Sequence, residues 1–137
     1  MQPLNLPEFD HKVEDEKIFC LIRRKWLVLT PEEWVRQHFL NLMIHHLGFP
    51  KGMIQLEYSL KYFKHDKRSD IVVLAKDASI FMIVECKAAN VSIDQKVVSQ
   101  ASAYNKVLKA QYMAVSNGLK HFIWKDGVQQ QDFPTYQ

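Results

Sequence analysis

Two acidic residues and one lysine near the centre of the chain are spaced so that they can share one site. Asp70 begins the β-branched run 70–75, and Glu85 and Lys87 follow the next apolar run. Alternate residues of a β-strand leave the same face, so Glu85 and Lys87 are expected to point together while Cys86 points into the apolar side. Whether Asp70 joins them depends on how the two runs pair.

The register of the predicted β-hairpin decides that question. A turn at residues 77–78 pairs Lys76 with Ser79 and, continued along the strands, pairs Asp70 with Glu85. Directly opposed residues share a face, with Cβ atoms about 4.5–5.5 Å apart. A slip by one residue would separate the two carboxylates. The sequence therefore predicts two carboxylates and a lysine at one end of a hairpin.

Carboxylates at that spacing suit a hard divalent cation. Two ionised carboxylates repel each other, and Mg²⁺ removes the repulsion while taking water and phosphate oxygens as further ligands. A metal ion lowers the pKa of a bound water, and a lysine nearby can position that water or stabilise charge in the transition state. The cluster favours phosphodiester hydrolysis, and the alternative is a surface strand pair with an ordinary Glu–Lys contact.

The sequence before the cluster predicts a hairpin and then a helix. Apolar runs at 18–22 and 26–29 flank the basic turn 23–25, which is typical of a β-hairpin. Residues 30–33 contain an N-cap threonine, a proline and a capping-box glutamate, so a helix is expected to begin there. Its apolar stripe is expected to include His46, and Gly48 is expected to end it.

The remaining elements follow from period-two and helical spacing. We expect strands at 53–63, 70–75 and 80–84, a helix over 94–108, and short strands at 112–115 and 119–124. This order predicts an α/β (α+β) fold in which helices flank one mixed β-sheet, preceded by the N-terminal β-hairpin.

Composition limits the class of protein. The length of 137 residues fits one domain over residues 1–137. Residues 1–16 are polar and contain two prolines, which predicts a loose lead-in. Two cysteines are too few for a disulfide framework, and neither a signal peptide nor a membrane-spanning run is visible. We therefore expect a cytoplasmic protein without membrane contact.

Charge is unevenly distributed along the chain. The net charge is only +3, but residues 95–125 carry five lysines and no acidic residue, whereas residues 1–16 carry five acidic residues and one base. A basic segment of this kind is either an ordinary solvated surface or an electrostatic footprint for a polyanion such as DNA.

Several short motifs resemble the PD-(D/E)XK nuclease superfamily, whose site combines an acid on one strand with an E-x-K triplet on the next. The stretch RSDIVVLAKDASIFMIVECKA at 68–88 carries this resemblance, with Ser69 at the place of the proline. A closer resemblance is to the N-terminal nuclease domain of type I restriction enzyme R subunits. It rests on KW at 25–26 followed by TPEEWVRQHF, on VECKA, and on the Q-x-x-x-Y pattern of Gln100 and Tyr104. The likeness covers roughly residues 18–125.

The resemblance implies a restriction-endonuclease-like fold and Mg²⁺-dependent DNA cleavage, with Mn²⁺ as a substitute. It also implies a third acid from the first helix at the metal site. Glu32 and Glu33 both fit, and we choose Glu33, although its capping box and the helix dipole explain these acids without any chemistry.

Four further residues are expected to support the site. Gln100 and Tyr104 lie four residues apart on one helix face, and the resemblance implies that they brace the active site or contact the DNA backbone. An ordinary half-buried aromatic is the alternative for Tyr104. Arg68 and Lys96 are expected to contact phosphates, with solvated surface as the alternative.

These patterns predict a Mg²⁺-dependent DNA endonuclease. Asp70, Glu85 and Glu33 are expected to hold the metal, and Lys87 to act on the attacking water. The sequence contains no G-x-x-x-x-G-K-[ST] loop, so we expect no ATP-driven motor within it. The protein is then expected to act on DNA by itself, as a homo-oligomer, or with restriction-system subunits. The alternatives are a catalytically idle DNA-binding module and a protein-association module with the same fold.

Overall fold

The computed structural model of the chain describes residues 1–59 and 68–136, without the side chains of residues 59, 68 and 69. A small N-terminal sheet contains β1 (Val13–Glu14), β2 (Lys17–Phe19) and β3 (Trp26–Val28). The larger sheet contains β4 (Ile54–Ser59), β5 (Arg68–Leu74), β6 (Ile80–Cys86), β7 (Tyr112–Ser116), β8 (His121–Lys125) and β9 (Val128–Gln130). The two α-helices are α1 (Pro31–Asn41) and α2 (Gln95–Leu108).

The larger sheet is mixed, and its strands follow one another in chain order. Only β6 and β7 are parallel, and α2 connects them, while every other neighbouring pair is antiparallel. Parallel neighbours need such a crossover, which explains why a helix separates these two strands. The expected α+β class with helices on a mixed sheet is confirmed, and the N-terminal hairpin is present as β2 and β3 with β1 added beside it.

The two helices cover opposite faces of the larger sheet. Val35 and Phe39 of α1 pack against one set of strand residues, whereas Ala101 of α2 packs against Val72 and Ile83 on the other face. Strand residues alternate between these two cores, as expected for a sheet buried on both sides. Within the described part of the chain, neither helix is long and apolar enough to span a bilayer.

Helix α1 begins where the capping box predicts, because Thr30 Oγ1 accepts a hydrogen bond from the Glu33 amide at 3.0 Å. Regular α-helical geometry ends at Asn41, earlier than expected, and residues 42–46 continue as a π-helical turn. The wider turn changes which side chains face the sheet, so His46 is exposed and not part of the apolar stripe.

The segment before the small sheet packs against the domain, although we expected a loose lead-in. The Asn5 amide donates a hydrogen bond to the Gly118 carbonyl at 2.7 Å. Gly118 has φ +85°, and a Cβ there would lie 2.7 Å from a methyl carbon of Leu4. Leu4 and Leu6 both pack against the core on the α1 side. These contacts join residues far apart in sequence, and local composition therefore could not predict them.

Candidate active site

The β5–β6 hairpin brings the two central carboxylates together. Ile71 pairs with Val84, and one further step in the same register places Asp70 across from Glu85. Asp70 Oδ2 also accepts a hydrogen bond from the Cys86 amide at 2.7 Å, which fixes the carboxylate beside the end of β6. The two acids therefore occupy one end of the hairpin.

The turn that sets this register differs from the expected one. The Ala75 amide donates to the Ser79 carbonyl at 2.8 Å, so the turn has three residues between the paired positions, and the predicted pairing of Lys76 with Ser79 is wrong. Phe81 is an additional residue in β6 that forms a β-bulge opposite β5. The longer turn and the bulge offset each other, and the far end of the hairpin keeps the predicted pairing.

Alternation along the strands defines the faces on which the site residues lie. Asp70 is two residues from Val72, and Glu85 is two from Ile83, both of which pack against α2. The carboxylates therefore lie on the α2 side of the sheet. Cys86 is 3% exposed and belongs to the core on the α1 side, where the alternation predicted it.

Lys87 and Tyr104 stand close enough to this pair to interact with it electrostatically. Lys87 is half-buried, its amide donates to the Ser116 carbonyl at 2.8 Å, and its charge lowers the pKa of Asp70. Burial and the charges of Glu85 and Asp70 raise the pKa of the Tyr104 hydroxyl. The structure thus gathers Asp70, Glu85, Lys87 and Tyr104 into one neighbourhood.

The pKa of Asp70 is strongly perturbed. Burial raises its pKa to about 6, and the negative charge of Glu32 adds to that rise. The Cys86 amide, Arg36 and Lys87 act in the opposite direction. A buried carboxylate that resists ionisation gains from a nearby cation, so its environment suits a bound metal ion.

A cavity of about 150 Å³ opens beside Asp70, between the hairpin end and the start of α1. Its lining combines four acidic residues with a single arginine: Thr30, Glu32, Glu33, Arg36, Glu57, Asp70 and Cys86. The excess of carboxylates makes this a cation-attracting pocket.

Within the pocket, the carboxylate of Glu33 is held by its neighbours. Arg36 donates from Nε at 2.8 Å to one oxygen and from Nη2 to the other, and Gln37 donates from Nε2 at 3.0 Å. Both oxygens of Glu33 therefore already accept hydrogen bonds, which does not suit the metal-ligand role expected for it. Glu32 is exposed at the same pocket and acts on Asp70 electrostatically, so it is the better-placed acid of α1.

Arg36 and Glu57 also belong to this region, and neither was predicted from the sequence. Arg36 is 5% exposed, and its Nη1 lies 3.8 Å from a carboxylate oxygen of Glu57. Glu57 also pairs with Arg23 at 2.8 Å, and its φ of +53° is unusual for a residue inside a strand. The three-residue spacing of Glu33 and Arg36 on a helix could have revealed their ion pair. No sequence signal marks the backbone of Glu57.

The described residues contain no group of three or more His, Cys, Asp and Glu side chains placed to hold a metal ion. Asp70 and Glu85 form a smaller donor set. Mg²⁺ commonly takes one or two protein carboxylates and fills its remaining positions with water and phosphate oxygens. Asp70, which lines the acidic pocket, and Glu85 across from it on the next strand fit that pattern.

The other expected DNA contacts are less well defined by the geometry. Lys96 and Gln100 are both exposed on α2, and Gln100 stands one turn before Tyr104. The side chain of Arg68, and the part of the strand predicted for residues 53–63 that follows Ser59, lie outside the described residues.

Comparison with known proteins adds two findings. A family model described as the type I restriction enzyme R protein N terminus (HSDR_N) matches residues 31–137, which include both α-helices and the whole larger sheet. A solved structure of a fragment, described as that of an HsdR subunit of a type I restriction enzyme from Vibrio vulnificus YJ016, matches with a TM-score of 0.60 at 20% identity. The match covers 78% of this chain and 24% of that chain, and at this identity it shows a shared fold. No curated protein matches the chain.

Proposed function

Because the chain belongs to the family of the type I restriction enzyme R protein N terminus, we propose that it is a metal-dependent DNA endonuclease of the PD-(D/E)XK type. The observation that carries this proposal is the register of β5 and β6, which brings Asp70 across from Glu85, with the charge of Lys87 near enough to act on Asp70. The reaction would be hydrolysis of a phosphodiester bond. The alternative is an idle DNA-binding or protein-association module.

Asp70 and Glu85 are the residues that would hold Mg²⁺, or Mn²⁺ in its place, through carboxylate oxygens. When bound, the metal ion supplies Lewis-acid activation of water and neutralises charge on the phosphate. The Cys86 amide orients the Asp70 carboxylate through its hydrogen bond. Lys87 presents an ammonium group to the attacking water and to the charge that develops on the phosphate. Glu32 offers a further carboxylate at the rim.

DNA would approach the end of the hairpin, where the carboxylates lie between α2 and the start of α1. Tyr104 stands beside them, and Gln100 and Lys96 extend the same helix toward solvent, which suits contacts to the phosphate backbone. Arg68 is proposed as a further phosphate contact. We also propose that the protein works in the cytoplasm as a homo-oligomer or with restriction-system subunits, which would supply targeting or translocation.

Plasmid nicking with matched variants tests the activity. The parent is expected to nick DNA with Mg²⁺ or Mn²⁺ but not with Ca²⁺ or EDTA. Lys87→Ala should reduce the rate by about 10²–10³-fold with nearly unchanged DNA affinity, because the lysine acts on charge that develops in the transition state. Glu85→Gln should abolish cleavage and weaken metal binding.

Lys120→Ala is the control, because Lys120 is an exposed lysine on the β7–β8 turn. It should cut like the parent. Cleavage that persists equally in EDTA and in every variant would refute the proposed mechanism. A parent that binds DNA but never cuts it would identify an idle binding module, and one that does neither would leave protein association as the function.

A further inference from the structure

The small N-terminal sheet lies outside the matched range 31–137 and carries aromatic and basic side chains together on its outer face. Phe19 of β2 pairs with Trp26 of β3, and their rings meet edge to face with centroids 5.5 Å apart. The Phe19 amide donates to the Lys12 carbonyl at 2.9 Å, so Lys12 lies beside Phe19 on the opposite side. We call Lys12, Phe19, Arg24 and Trp26 the basic–aromatic cluster.

Two cations of this cluster are directed at the phenylalanine ring. The Lys12 ammonium lies 5.6 Å and the Arg24 guanidinium 5.7 Å from the centroid of Phe19. Among the ion pairs of the described residues, none involves Lys12 or Arg24. The acidic residues at 14–16 lie at the other end of the hairpin, and near the rings the two cations Lys12 and Arg24 outnumber the single acid Asp10.

The rings of Phe19 and Trp26 on the outer face of the small sheet are not needed to form its contact with the core. Ile18 is fully buried between Lys17 and Phe19, so the inner face of β2 already supplies the core contact. Trp26 remains 41% exposed on the outer face. Exposed aromatic side chains beside unpaired cations are a common composition for surfaces that bind nucleic acid strands.

Arg24 lies in a closed backbone turn beside the rings of the cluster. Arg24 has φ +53°, a left-handed conformation that glycine and asparagine adopt with less strain than arginine. Two hydrogen bonds close this turn, from the Cys20 amide to the Lys25 carbonyl at 2.9 Å and from the Arg24 amide to the Cys20 carbonyl at 3.0 Å. These bonds define the backbone of the turn from which the Arg24 side chain reaches the Phe19 ring.

A cavity of about 130 Å³ adjoins the cluster and has mixed walls. It is lined by apolar and aromatic side chains together with both cations: Phe9, Asp10, His11, Lys12, Phe19, Leu21 and Arg24. Flat rings and positive charges in one small cavity suit a planar base that carries a phosphate. Next to Arg24, Arg23 pairs with Glu57, a residue that lines the carboxylate pocket. Arg23 therefore connects the turn that carries Arg24 to the carboxylate pocket.

We propose that the basic–aromatic cluster binds single-stranded DNA, with an unstacked base against Phe19 and Trp26 and phosphates paired with Lys12 and Arg24. The inference deepens the proposed function, because the strand held here would be the strand presented to Asp70 and Glu85. Ring stacking is tolerant of sequence and is available only to unpaired bases. Binding should therefore favour single strands over a duplex and show little base preference.

Fluorescence anisotropy with a labelled oligothymidylate in EDTA measures this binding without cleavage. Phe19→Leu should weaken affinity about tenfold and leave its salt dependence unchanged, because stacking is lost while the charge stays. Arg24→Asn should weaken affinity and also reduce the slope of log affinity against log salt by about 0.7, as expected for one lost phosphate contact. Asparagine tolerates the left-handed backbone, so the turn should persist.

Lys109→Asn is the matched control. Lys109 is exposed, sits at the C-terminus of α2 and also has a positive φ, +55°, so the change removes one charge at a similar backbone site away from the cluster. It should weaken affinity for the oligonucleotide less than Arg24→Asn does. A 2-aminopurine base in the strand should lose fluorescence on binding to the parent but not to Phe19→Leu.

Several results would overturn the inference. One is parental affinity for the oligonucleotide in both cluster variants. Another is a loss of affinity in Lys109→Asn as large as that in Arg24→Asn. A third is a loss of duplex binding in Phe19→Leu as large as its loss of single-strand binding. Unimpaired DNA binding in the cluster variants would leave this face to a protein partner. Plasmid nicking separates the two proposals: strand binding without cleavage refutes the nuclease alone, and cleavage with binding unaffected by Phe19→Leu refutes the inference alone.

Discussion

At the scale of single residues, some positions of the candidate site could be predicted from residue spacing and others could not. The β-strand alternation and the E-x-K spacing were enough to predict Glu85 and Lys87 on one face. Arg36 could not be predicted as part of the site, because a lone arginine on a helix is normally exposed to solvent. It is buried here because α1 is covered on every side from Trp34 to Asn41. Such burial depends on the whole fold.

The ion pair of Arg36 with Glu33 is expected to control the stability of the region around the site. Their side chains are only 6% and 10% exposed, so Arg36→Met leaves a buried carboxylate without its cation. Removing one partner of a buried pair costs about 3–5 kcal/mol, and we expect a loss of that order in the free energy of unfolding. Urea denaturation measures it.

The double variant Arg36→Met with Glu33→Gln should recover much of this loss, because no buried charge is then left unpaired. A loss below about 1 kcal/mol in Arg36→Met alone would show that Glu33 regains water, and would contradict the buried character of the pair.

At the scale of elements, the hairpin shows how a correct prediction can rest on a wrong detail. The alternation of apolar residues specified which faces of β5 and β6 are buried, and that pattern constrains register strongly. Neither the three-residue turn nor the bulge at Phe81 was visible in the sequence, since Ala78 is not a residue that marks a left-handed turn. The buried faces determined the pairing of the far end, and the turn adapted to it.

Ala78 is therefore expected to carry strain that glycine would relieve. Its φ is +70°, where an L-residue costs about 1–2 kcal/mol, while glycine costs about 0.5–1 kcal/mol of chain entropy. Ala78→Gly should raise the free energy of unfolding by roughly 0.5–1 kcal/mol. Thermal denaturation checks this.

Ala75→Gly provides the comparison for that variant, because the backbone of Ala75 does not have a positive φ. It should destabilise the protein by roughly 0.5–1 kcal/mol. If both glycine variants lose stability alike, the left-handed turn at Ala78 is not the strained feature described here. Cleavage should stay at the parental rate in both, because neither side chain reaches the carboxylates.

At the scale of the whole molecule, the fold class could be predicted from the order of elements. The packing of the first residues against the domain, which we call the N-terminal closure, could not. Two histidines join the first residues to the body of the domain. His121 Nε2 lies 2.8 Å from the Asn5 carbonyl oxygen, and the ring of His38 lies against Phe9 and Trp34, with centroids 4.9 Å and 4.3 Å away. A histidine in a polar stretch gives no sign of this role, because its partners come from distant parts of the chain.

These histidines make the stability of the protein depend on pH. Burial lowers the pKa of both His38 and His121, although each has a backbone carbonyl partner that acts in the opposite direction. The neutral ring is thus favoured in the fold, and their contribution to stability is complete above the unfolded pKa of about 6.5 and lost as pH falls through the lower folded values.

Asp70 has the opposite effect on stability as the pH falls. Burial favours its protonated form and raises its pKa to about 6, so acidification stabilises the fold at this residue. The test therefore compares variants with the parent at each pH. Urea unfolding of the metal-free parent at pH 7.5 and pH 5 should show a larger loss on acidification than the double variant His38→Phe, His121→Gln shows. In that variant no buried histidine is left at these positions to become charged, while Asp70 still contributes its opposite effect. An equal pH dependence in both proteins would show that the N-terminal closure does not depend on neutral histidines.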